Sequence, residues 1–458
     1  MVKTNRKLSN ALEGALAGGG DPATSPLYVF GPFLKLIVLA GVAKITFGAS
    51  IWLAVLTIII VSGVYRLVIR WITDGSGGSG LNEEEFGQWA LKIDASITFV
   101  EYTLTFLVSM SAMTTFLTDR FPVMNDHIFG IQIRTIFAIG ASILIGWLVN
   151  RGPKMASRVF GPATGGVILL LWIMIFAVIG KFGLQFPDFN LEAFSPEYIN
   201  FTLGGFARVL AVMTGIEVFA NLVAAYQGAP EQRSRKAFGS LVIIMGTTVM
   251  TMLILGPAIY RLSDPAVGGI SVFTQTMDQL LPQSLSYLGS VAGVAVLLSA
   301  CAASAQGLQN LALGLTRRHY LPPVIGQRNK FDVADKPVWI QAAVCSLFFL
   351  MLGTDESLYL AIYAAGVFIL LSMTAWATTK RLLRFWRASG SVEKLLGVVG
   401  AAVAALMTSV ATYIIFVERF LDGVWIYFLL IPTLFLMFTY FHKKLVVKHP
   451  SEKSVIVR

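Results

Sequence analysis

Long apolar stretches recur along almost the whole chain and alternate with short polar segments. Most of them supply the roughly 20 residues that an α-helix needs to cross a bilayer. The pattern predicts an all-α polytopic membrane protein with about twelve transmembrane helices, numbered here as spans 1 to 12. The predicted spans cover residues 9–42, 45–70, 89–118, 130–150, 157–180, 203–226, 237–260, 284–312, 337–353, 356–379, 395–417 and 421–441.

Span 1 contains a stretch that a regular helix cannot accommodate. The segment from Gly18 to Pro26 places three glycines and two prolines within nine residues, and both residue types disfavour a helix interior. We expect the helix to stop near Gly18 and to restart near Pro26. Backbone groups freed at membrane depth are tolerated only around a cavity lined by protein. The break therefore predicts an internal site, and Asp21 lies within it.

Span 6 carries a second candidate break, Thr214-Gly215-Ile216-Glu217. This span is the first helix of a second set of five, as span 1 is of the first set. Interrupted helices at corresponding positions of two halves are typical of inverted-repeat transporters, whose site lies between the halves. The expected organisation is a first repeat over 1–202, a second repeat over 203–392, two additional helices over 393–441 and a cytoplasmic tail over 442–458.

Composition supports this class and orients the chain. Of the 458 residues, 56% are hydrophobic and 13% are charged, and the mean hydropathy is +0.73. A soluble protein of this size cannot bury so much apolar surface. The formal charge of +10 comes from Lys and Arg concentrated in alternate loops, as the positive-inside rule describes. Both termini are thus predicted to be cytoplasmic, in a multi-pass protein of the cell (plasma) membrane that contacts lipid and no nucleic acid.

The polar residues between spans 2 and 3 are interpreted as solvated. Asp74–Gly80 is rich in Gly and Ser and predicts a flexible inner loop. The charge run Asn82–Glu85 follows, and we interpret it as a solvated segment in preference to a regulatory site. Asp94 lies near the inner end of span 3 and is expected to be solvated as well.

Three acids are predicted near the middle of the membrane: Asp21, Glu101 and Glu217. Glu101, Thr105 and Ser109 share one helix face because they are four residues apart. A lipid-facing ionised acid costs about 2.5 kcal/mol or more, so the acids must be protonated or neutralised by a bound cation. The two states alternate in a cation–proton symporter, and carboxylate and hydroxyl oxygens suit a hard monovalent cation.

Each candidate residue also has a structural interpretation. Asp21 can cap a helix at the break, Glu217 can accept hydrogen bonds from the broken backbone, and Glu101 can bond to a neighbouring helix. The candidate tyrosines and small hydroxyl residues can simply pack between helices; these are Tyr28, Tyr102, Thr105, Ser109 and Thr214. Independent structural roles for three buried acids are the less economical explanation.

Other chemistry has no signal in the sequence. There is no Gly-x-x-x-x-Gly-Lys phosphate loop, no transition-metal ligand spacing and no nucleophile motif. The two cysteines, Cys301 and Cys345, fall in apolar spans and predict no disulfide framework. We therefore expect a protein that is not an enzyme and carries no cofactor, with an ion or a small molecule as its substrate.

Several stretches resemble a known group of transporters. Gly20-Asp21 followed by the segment Thr24–Phe30 (Thr-Ser-Pro-Leu-Tyr-Val-Phe) resembles the first-helix signature of Kup-type potassium transporters. Residues 101–112, 214–217, 302–322 and 362–368 are similar to the KimA-like branch of that group, within the amino acid–polyamine–organocation (APC) superfamily. The similar stretches extend over spans 1 to 10.

The resemblance implies a LeuT-type 5+5 inverted repeat with broken helices 1 and 6, and it implies proton-coupled potassium uptake. Potassium and protons would be the transported ions. Potassium would be held by Tyr28, Glu101, Tyr102, Thr105, Ser109, Thr214 and Glu217. The position of Asp21 is tied to proton coupling, and Glu101 and Glu217 are expected to carry protons as well.

Three features depart from the family pattern. Glu101 stands where the KimA-like pattern has Asp, and its side chain reaches one methylene further. The pair Pro22-Ala23 fits neither branch. We expect no soluble C-terminal domain after span 12, whereas the resemblance implies one that serves regulation and dimer formation in KimA-like proteins. The oligomeric state is therefore left open.

Three other functions are weighed. A proton-coupled amino acid permease of the same superfamily would bind a substrate carboxylate at the N-terminus of the restarted half-helix, but Asp21 and Glu101 would repel that carboxylate unless they were protonated. A non-transporting membrane sensor or assembly subunit is the second, although short loops leave little surface for it. A channel is the third, and two broken helices at corresponding positions favour a carrier over it.

Overall fold

The computed structural model describes residues 7–267 and 269–448. Part of the predicted tail over 442–458 lies outside the described residues. The basic residues at positions 3 and 6 lie outside them as well. Within the described chain, helices account for all regular structure except one short hairpin, formed by β1 (His127–Ile128) and β2 (Ile131–Gln132). Nine helical segments of this part are long and apolar enough to cross a membrane, and three more apolar helices are shorter. The all-α polytopic class and about twelve spans are confirmed.

The first five spans follow the predicted order. Span 1 is divided into α1 (Ala11–Gly18) and α2 (Pro26–Leu39), so the helix stops and restarts where its Gly and Pro content predicts. Pro26 occupies the first turn of α2, the one helical position that suits proline. The other elements are α3 (Ala43–Trp71), α4 (Gly77–Phe86), α5 (Gln88–Arg120), α6 (Ile133–Val149) and α7 (Pro153–Phe182).

Span 6 is broken too. It begins with α8 (Ile199–Val209), tightens into a 3₁₀ turn over Leu210–Met213, and resumes as the short α9 (Val218–Asn221) followed by a second 3₁₀ turn, Leu222–Ala225. Residues 214–217 between these parts are not helical. Both predicted breaks are confirmed.

Spans 7 to 12 complete the fold. Span 7 joins α10 (Pro230–Met250) to α11 (Gly256–Leu262) through a π turn, Thr251–Leu255, and a short helix α12 (Val272–Leu280) follows. The remaining helices are α13 (Gln283–Arg317), α14 (Lys336–Leu352), α15 (Glu356–Ser389), α16 (Val392–Arg419) and α17 (Tyr427–Lys448). In the interior, α5 packs against α13 and α15, α1 packs against α10, and α2 packs against α8. The division into two repeats at residues 202 and 203 stays a prediction.

The segment between spans 2 and 3 corrects the prediction of a flexible loop. Most of it forms α4, in which Gly78 is buried. A Cβ on Gly78 would lie 2.6 Å from Thr374 Oγ1 of α15, so a residue without a side chain lets the two helices approach closely. Here glycine serves close packing, which composition alone does not distinguish from flexibility.

The charge run Asn82–Glu85 is also not solvated throughout. The side chain of Glu85 is only 1% exposed, and its carboxylate accepts hydrogen bonds from Arg381 at 2.8 Å and from Arg384 at 2.5 Å. Arg381 pairs with Glu84 as well. These ion pairs fasten α4 to α15. We call the side of the membrane on which they lie the inner side, after the charge-based prediction, and the opposite side the outer side.

Candidate functional site

The two helix breaks touch each other. Gly215 has a positive φ of +82°, and a Cβ at this position would lie 2.7 Å from Pro22 Cδ and 3.0 Å from Asp21 Oδ2. The hydroxyls of Ser25 and Thr214 form a hydrogen bond of 2.8 Å between the breaks. Glycine at position 215 thus allows both a left-handed backbone and direct contact between spans 1 and 6.

Asp21 is held by a residue that the sequence prediction did not include. The Tyr363 hydroxyl of α15 donates a hydrogen bond to Asp21 Oδ2 at 3.3 Å. The other carboxylate oxygen, Oδ1, is buried and has no hydrogen-bond partner among the described residues. The hydrogen bond to this carboxylate therefore comes from a side chain of another span. A helix-capping role would instead require a hydrogen bond from a backbone N–H at a helix N-terminus.

A small, partly enclosed cavity of about 60 Å³ lies beside the two breaks. Elements from several spans line it, namely the span 1 break, α3, α4, α5, the inner part of span 6 and α15. Four carboxyl groups and, among the described lining residues, no Lys or Arg face it. The complete lining comprises Asp21, Tyr65, Gly78, Ser79, Asp94, Thr98, Glu101, Tyr102, Thr105, Glu217, Val218, Asn221, Tyr363, Leu370 and Thr374.

The cavity brings most of the predicted residues together. Its lining includes Asp21, Glu101, Tyr102, Thr105 and Glu217. The other three predicted residues are not part of the lining.

Tyr28, Thr214 and Ser109 occupy neighbouring positions. Tyr28 and Thr214 are buried beside the cavity, and the Tyr28 hydroxyl lies 3.3 Å from the Ser25 hydroxyl that also bonds Thr214. Ser109 lies further along α5 and is 1% exposed. Its hydroxyl has no hydrogen-bond partner within the described residues.

Asp94 corrects the expectation that it is solvated. Its side chain is 2% exposed because α4 covers the inner end of the cavity. Asn82 Nδ2 donates to Asp94 Oδ1 at 3.3 Å, while Oδ2 has no hydrogen-bond partner in the part of the chain described. The spacing of Asp94, Thr98, Glu101 and Thr105 places all four on one helix face, a pattern that could have added Asp94 to the site.

The four acids share one energetic problem. Each has a buried carboxylate oxygen that lacks a hydrogen-bond partner among the described residues: Asp21 Oδ1, Asp94 Oδ2, Glu101 Oε1 and Glu217 Oε2. A buried ionised carboxylate without compensation is strongly unfavourable. The arrangement therefore favours acids that bind protons or share a cation.

A vestibule lies on each side of this central cavity. The outer one, of about 350 Å³, extends down to Leu27 and Tyr28 and is also lined by Asp119 and Glu356. The inner one, of about 750 Å³, shares four lining residues with the central cavity: Ser79, Thr98, Tyr102 and Asn221. The central cavity is therefore in contact with the inner vestibule through these shared residues, whereas it shares none with the outer one.

A polar cavity between two interrupted helices, with a vestibule on each side, defines a membrane transporter. A family model described as "Amino acid permease" matches residues 20–438. The chain belongs to this family, within the APC superfamily, and the family is consistent with the expected LeuT-type fold. The family match indicates a membrane transporter with several spans, which is consistent with a place in the plasma membrane.

One curated relative carries a more specific name. The potassium transporter KimA of Bacillus subtilis (strain 168) is 23% identical over 418 residues, which represent 88% of this chain and 66% of KimA. The chain therefore spans just under two thirds of the length of this relative.

Proposed function

We propose that the protein is a secondary active transporter that couples potassium uptake to proton entry by alternating access. The observation that carries the proposal is the central cavity, which is lined by four carboxyl groups and by no Lys or Arg among its described residues. Such a cavity attracts cations and can exchange a bound cation for protons on the same oxygens. Carboxylate, hydroxyl and carbonyl oxygens are also the ligands that a hard cation prefers.

The size of the cavity supports an ion as the substrate. Its volume of about 60 Å³ is well below the roughly 300–1,000 Å³ of pockets that enclose small organic ligands. One cation with a few remaining waters fits this space, since a water needs about 10–15 Å³ on the same measure. The larger vestibules provide room for the hydrated ion before it enters the cavity and after it leaves.

Residues in and beside the cavity receive roles on this basis. Potassium would be coordinated by oxygens of Glu101, Thr105 and Glu217, with Tyr102 at the inner boundary. Tyr28, Thr214 and Ser109 would complete the shell as the breaks rearrange. Asp21, Glu101 and Glu217 would carry the coupled protons, and Tyr363 would orient Asp21 through their 3.3 Å hydrogen bond.

The direction of transport follows from the orientation. If both termini are cytoplasmic in the plasma membrane, as the Lys and Arg distribution predicts, the vestibule at Tyr28 faces the exterior. Potassium would enter there and leave through the vestibule at Tyr102. The similarity to KimA, a potassium transporter, supports this choice of substrate.

A proton-coupled amino acid permease is the second candidate. The family description favours it, and so does the N-terminus of α2 at Pro26, because a helix N-terminus can bind a substrate carboxylate. Against it, the four acids that line the cavity would repel that carboxylate unless they were protonated.

Proton entry into proteoliposomes on adding external ions tests the proposal. Potassium is expected to drive proton entry, whereas sodium and a mixture of amino acids should not. Entry driven only by amino acids would replace the proposal with the permease function.

Three variants then test the site. Asp21→Asn should abolish proton coupling, and Glu217→Gln should weaken potassium binding. Glu197→Gln, which changes an exposed acid in an outer segment, should behave as the wild type. Unchanged transport in both Asp21→Asn and Glu217→Gln would refute the site assignment.

A further inference from the structure

The last helix, α17, places a buried phenol inside the protein. Tyr427 is the first residue of this helix, and its side chain is 2% exposed. Its hydroxyl is buried without a hydrogen-bond partner among the described residues. Buried hydroxyls of this kind are uncommon because they forfeit hydration without compensation, so the position of Tyr427 calls for an explanation.

Tyr427 meets Glu101 at a glycine. A Cβ on Gly366 of α15 would lie 2.2 Å from Tyr427 Oη and 3.1 Å from Glu101 Cγ. Any residue other than glycine would displace one or both side chains. The phenol and the carboxylate-bearing side chain therefore occupy neighbouring places against the same point of α15.

The two side chains are complementary in hydrogen bonding. Glu101 Oε1 is buried and has no hydrogen-bond partner in the described chain, and an ionised carboxylate only accepts hydrogen bonds. The Tyr427 hydroxyl can donate one. A donor and an acceptor that both lack partners among the described residues are thus carried by two side chains that meet at Gly366.

The surroundings of Tyr427 hold its ring in place. The ring packs edge-on against Phe416 of α16, with the centroids 6.4 Å apart. The helix itself packs against α5, which carries Glu101. A 3₁₀ turn, Val424–Ile426, precedes α17 and follows Gly423. A Cβ on Gly423 would lie 3.0 Å from Ile362 Cδ1 of α15. These contacts with α16 and α5 hold the Tyr427 ring in the interior of the protein.

We propose that Tyr427 is a positioning residue for Glu101. Its hydroxyl donates to the ionised carboxylate and holds it toward the bound cation, and the hydrogen bond is released when Glu101 takes up a proton. This inference rests on the proposed function and extends the site to α17, beyond the two predicted repeats.

The first experiment compares Tyr427→Phe with the wild type in proteoliposomes made from the full chain. Losing one hydrogen bond to a charged group should raise the KM for potassium at least about tenfold, with Vmax changed less than about twofold. Tyr413→Phe removes the hydroxyl of a lipid-facing tyrosine that is 70% exposed and should leave KM and Vmax unchanged. Wild-type kinetics in Tyr427→Phe would overturn the proposal.

A double-variant cycle separates positioning from general stability. Glu101→Asp shortens the acid by one methylene and should itself raise KM. In that background Tyr427→Phe should change KM less than about twofold, because the phenol no longer has its partner. An equal, additive effect of Tyr427→Phe in both backgrounds would show that the residue acts independently of Glu101 and would overturn the proposal.

Failure of the proposed function gives a different result. If the wild-type protein moves amino acids and not potassium, the same cycle is measured with that substrate. Non-additivity between positions 101 and 427 would then retain the positioning role, and additivity would overturn it.

Discussion

Replacing Gly215 with alanine tests whether contact between the two breaks is required for transport. Two separate penalties are expected. The first is conformational, since φ at this residue is +82° and a left-handed backbone costs an L-residue roughly 1–2 kcal/mol. The second is steric, since the new Cβ would lie 2.7 Å from Pro22 Cδ and 3.0 Å from Asp21 Oδ2. Overpacking of this kind typically costs about 1–3 kcal/mol.

Only the steric penalty acts selectively on conformations in which the breaks touch. If transport passes through such a conformation, about 1–3 kcal/mol lowers its population, and hence the transport rate, by about 5- to 150-fold. The free energy of unfolding should fall by the sum of both penalties, about 2–5 kcal/mol. The transport loss is the more specific of the two effects.

Two glycine variants serve as controls for Gly215→Ala. Gly353 has a similar φ of +77° but nothing within 4 Å of its would-be Cβ, so Gly353→Ala reproduces the backbone strain without the contact. Gly140 lies in α6 with no contact and no positive φ, so Gly140→Ala should be neutral or slightly stabilising. Thermal unfolding in detergent and potassium-driven proton entry are measured for all three variants. If Gly215→Ala matches Gly353→Ala in transport, contact between the breaks is not needed and the reasoning is refuted.

Three further predictions concern other parts of the site and its support. Ser25→Ala removes the 2.8 Å hydrogen bond to Thr214 and should weaken potassium binding by about 0.5–1.5 kcal/mol, the net contribution of one hydrogen bond. The apparent affinity is obtained from initial rates at increasing potassium concentrations, and an unchanged affinity would contradict the prediction. Glu85→Gln removes the buried carboxylate that pairs with Arg381 and leaves it only the exposed Glu84, so it should cost up to about 3–5 kcal/mol in thermal unfolding. Arg328→Ala breaks an exposed i,i+4 pair and should cost at most about 1 kcal/mol; equal costs would argue against burial as the cause. Asp94→Asn should weaken potassium binding measured from the inner side more than from the outer side, and an equal effect on both sides would exclude a role at the inner end.

The break of span 1 could be predicted from sequence because its cause is local. Three glycines and two prolines cannot form a regular helix wherever they occur, so the end of α1 at Gly18 and the start of α2 at Pro26 follow from backbone chemistry. The segment Asp74–Gly80 shows the limit of the same reasoning. Its glycines suggested a flexible loop, but their role is set by Thr374 and Asn221, which approach them from distant parts of the chain.

The candidate site divides in a similar way. Glu101 and Thr105 could be placed on one face from their spacing alone, and both line the cavity. Asp94 lies on the same helix face, but the sequence gives no sign that α4 folds back over it. The sequence alone therefore predicts that Asp94 is exposed to solvent. Tyr363 and Tyr427 lie in or beside long apolar helices, where an isolated tyrosine has no distinguishing pattern. Their significance depends on which carboxylate lies opposite, and that depends on tertiary packing.

The number of acids around so small a space bears on how coupling would arise. Four carboxyl groups line a cavity of about 60 Å³, and two like charges about 4 Å apart repel by about 4 kcal/mol even at an effective dielectric constant of 20. All four cannot be ionised together without compensating cations. One potassium ion balances only one negative charge, so the remaining acids must hold protons while one ion is bound. Under the proposed function, potassium binding and protonation would then be linked by the charge balance of the cavity itself. A variant that removes one of these acids should therefore change the number of protons that accompany each potassium ion, which simultaneous measurement of both fluxes would detect.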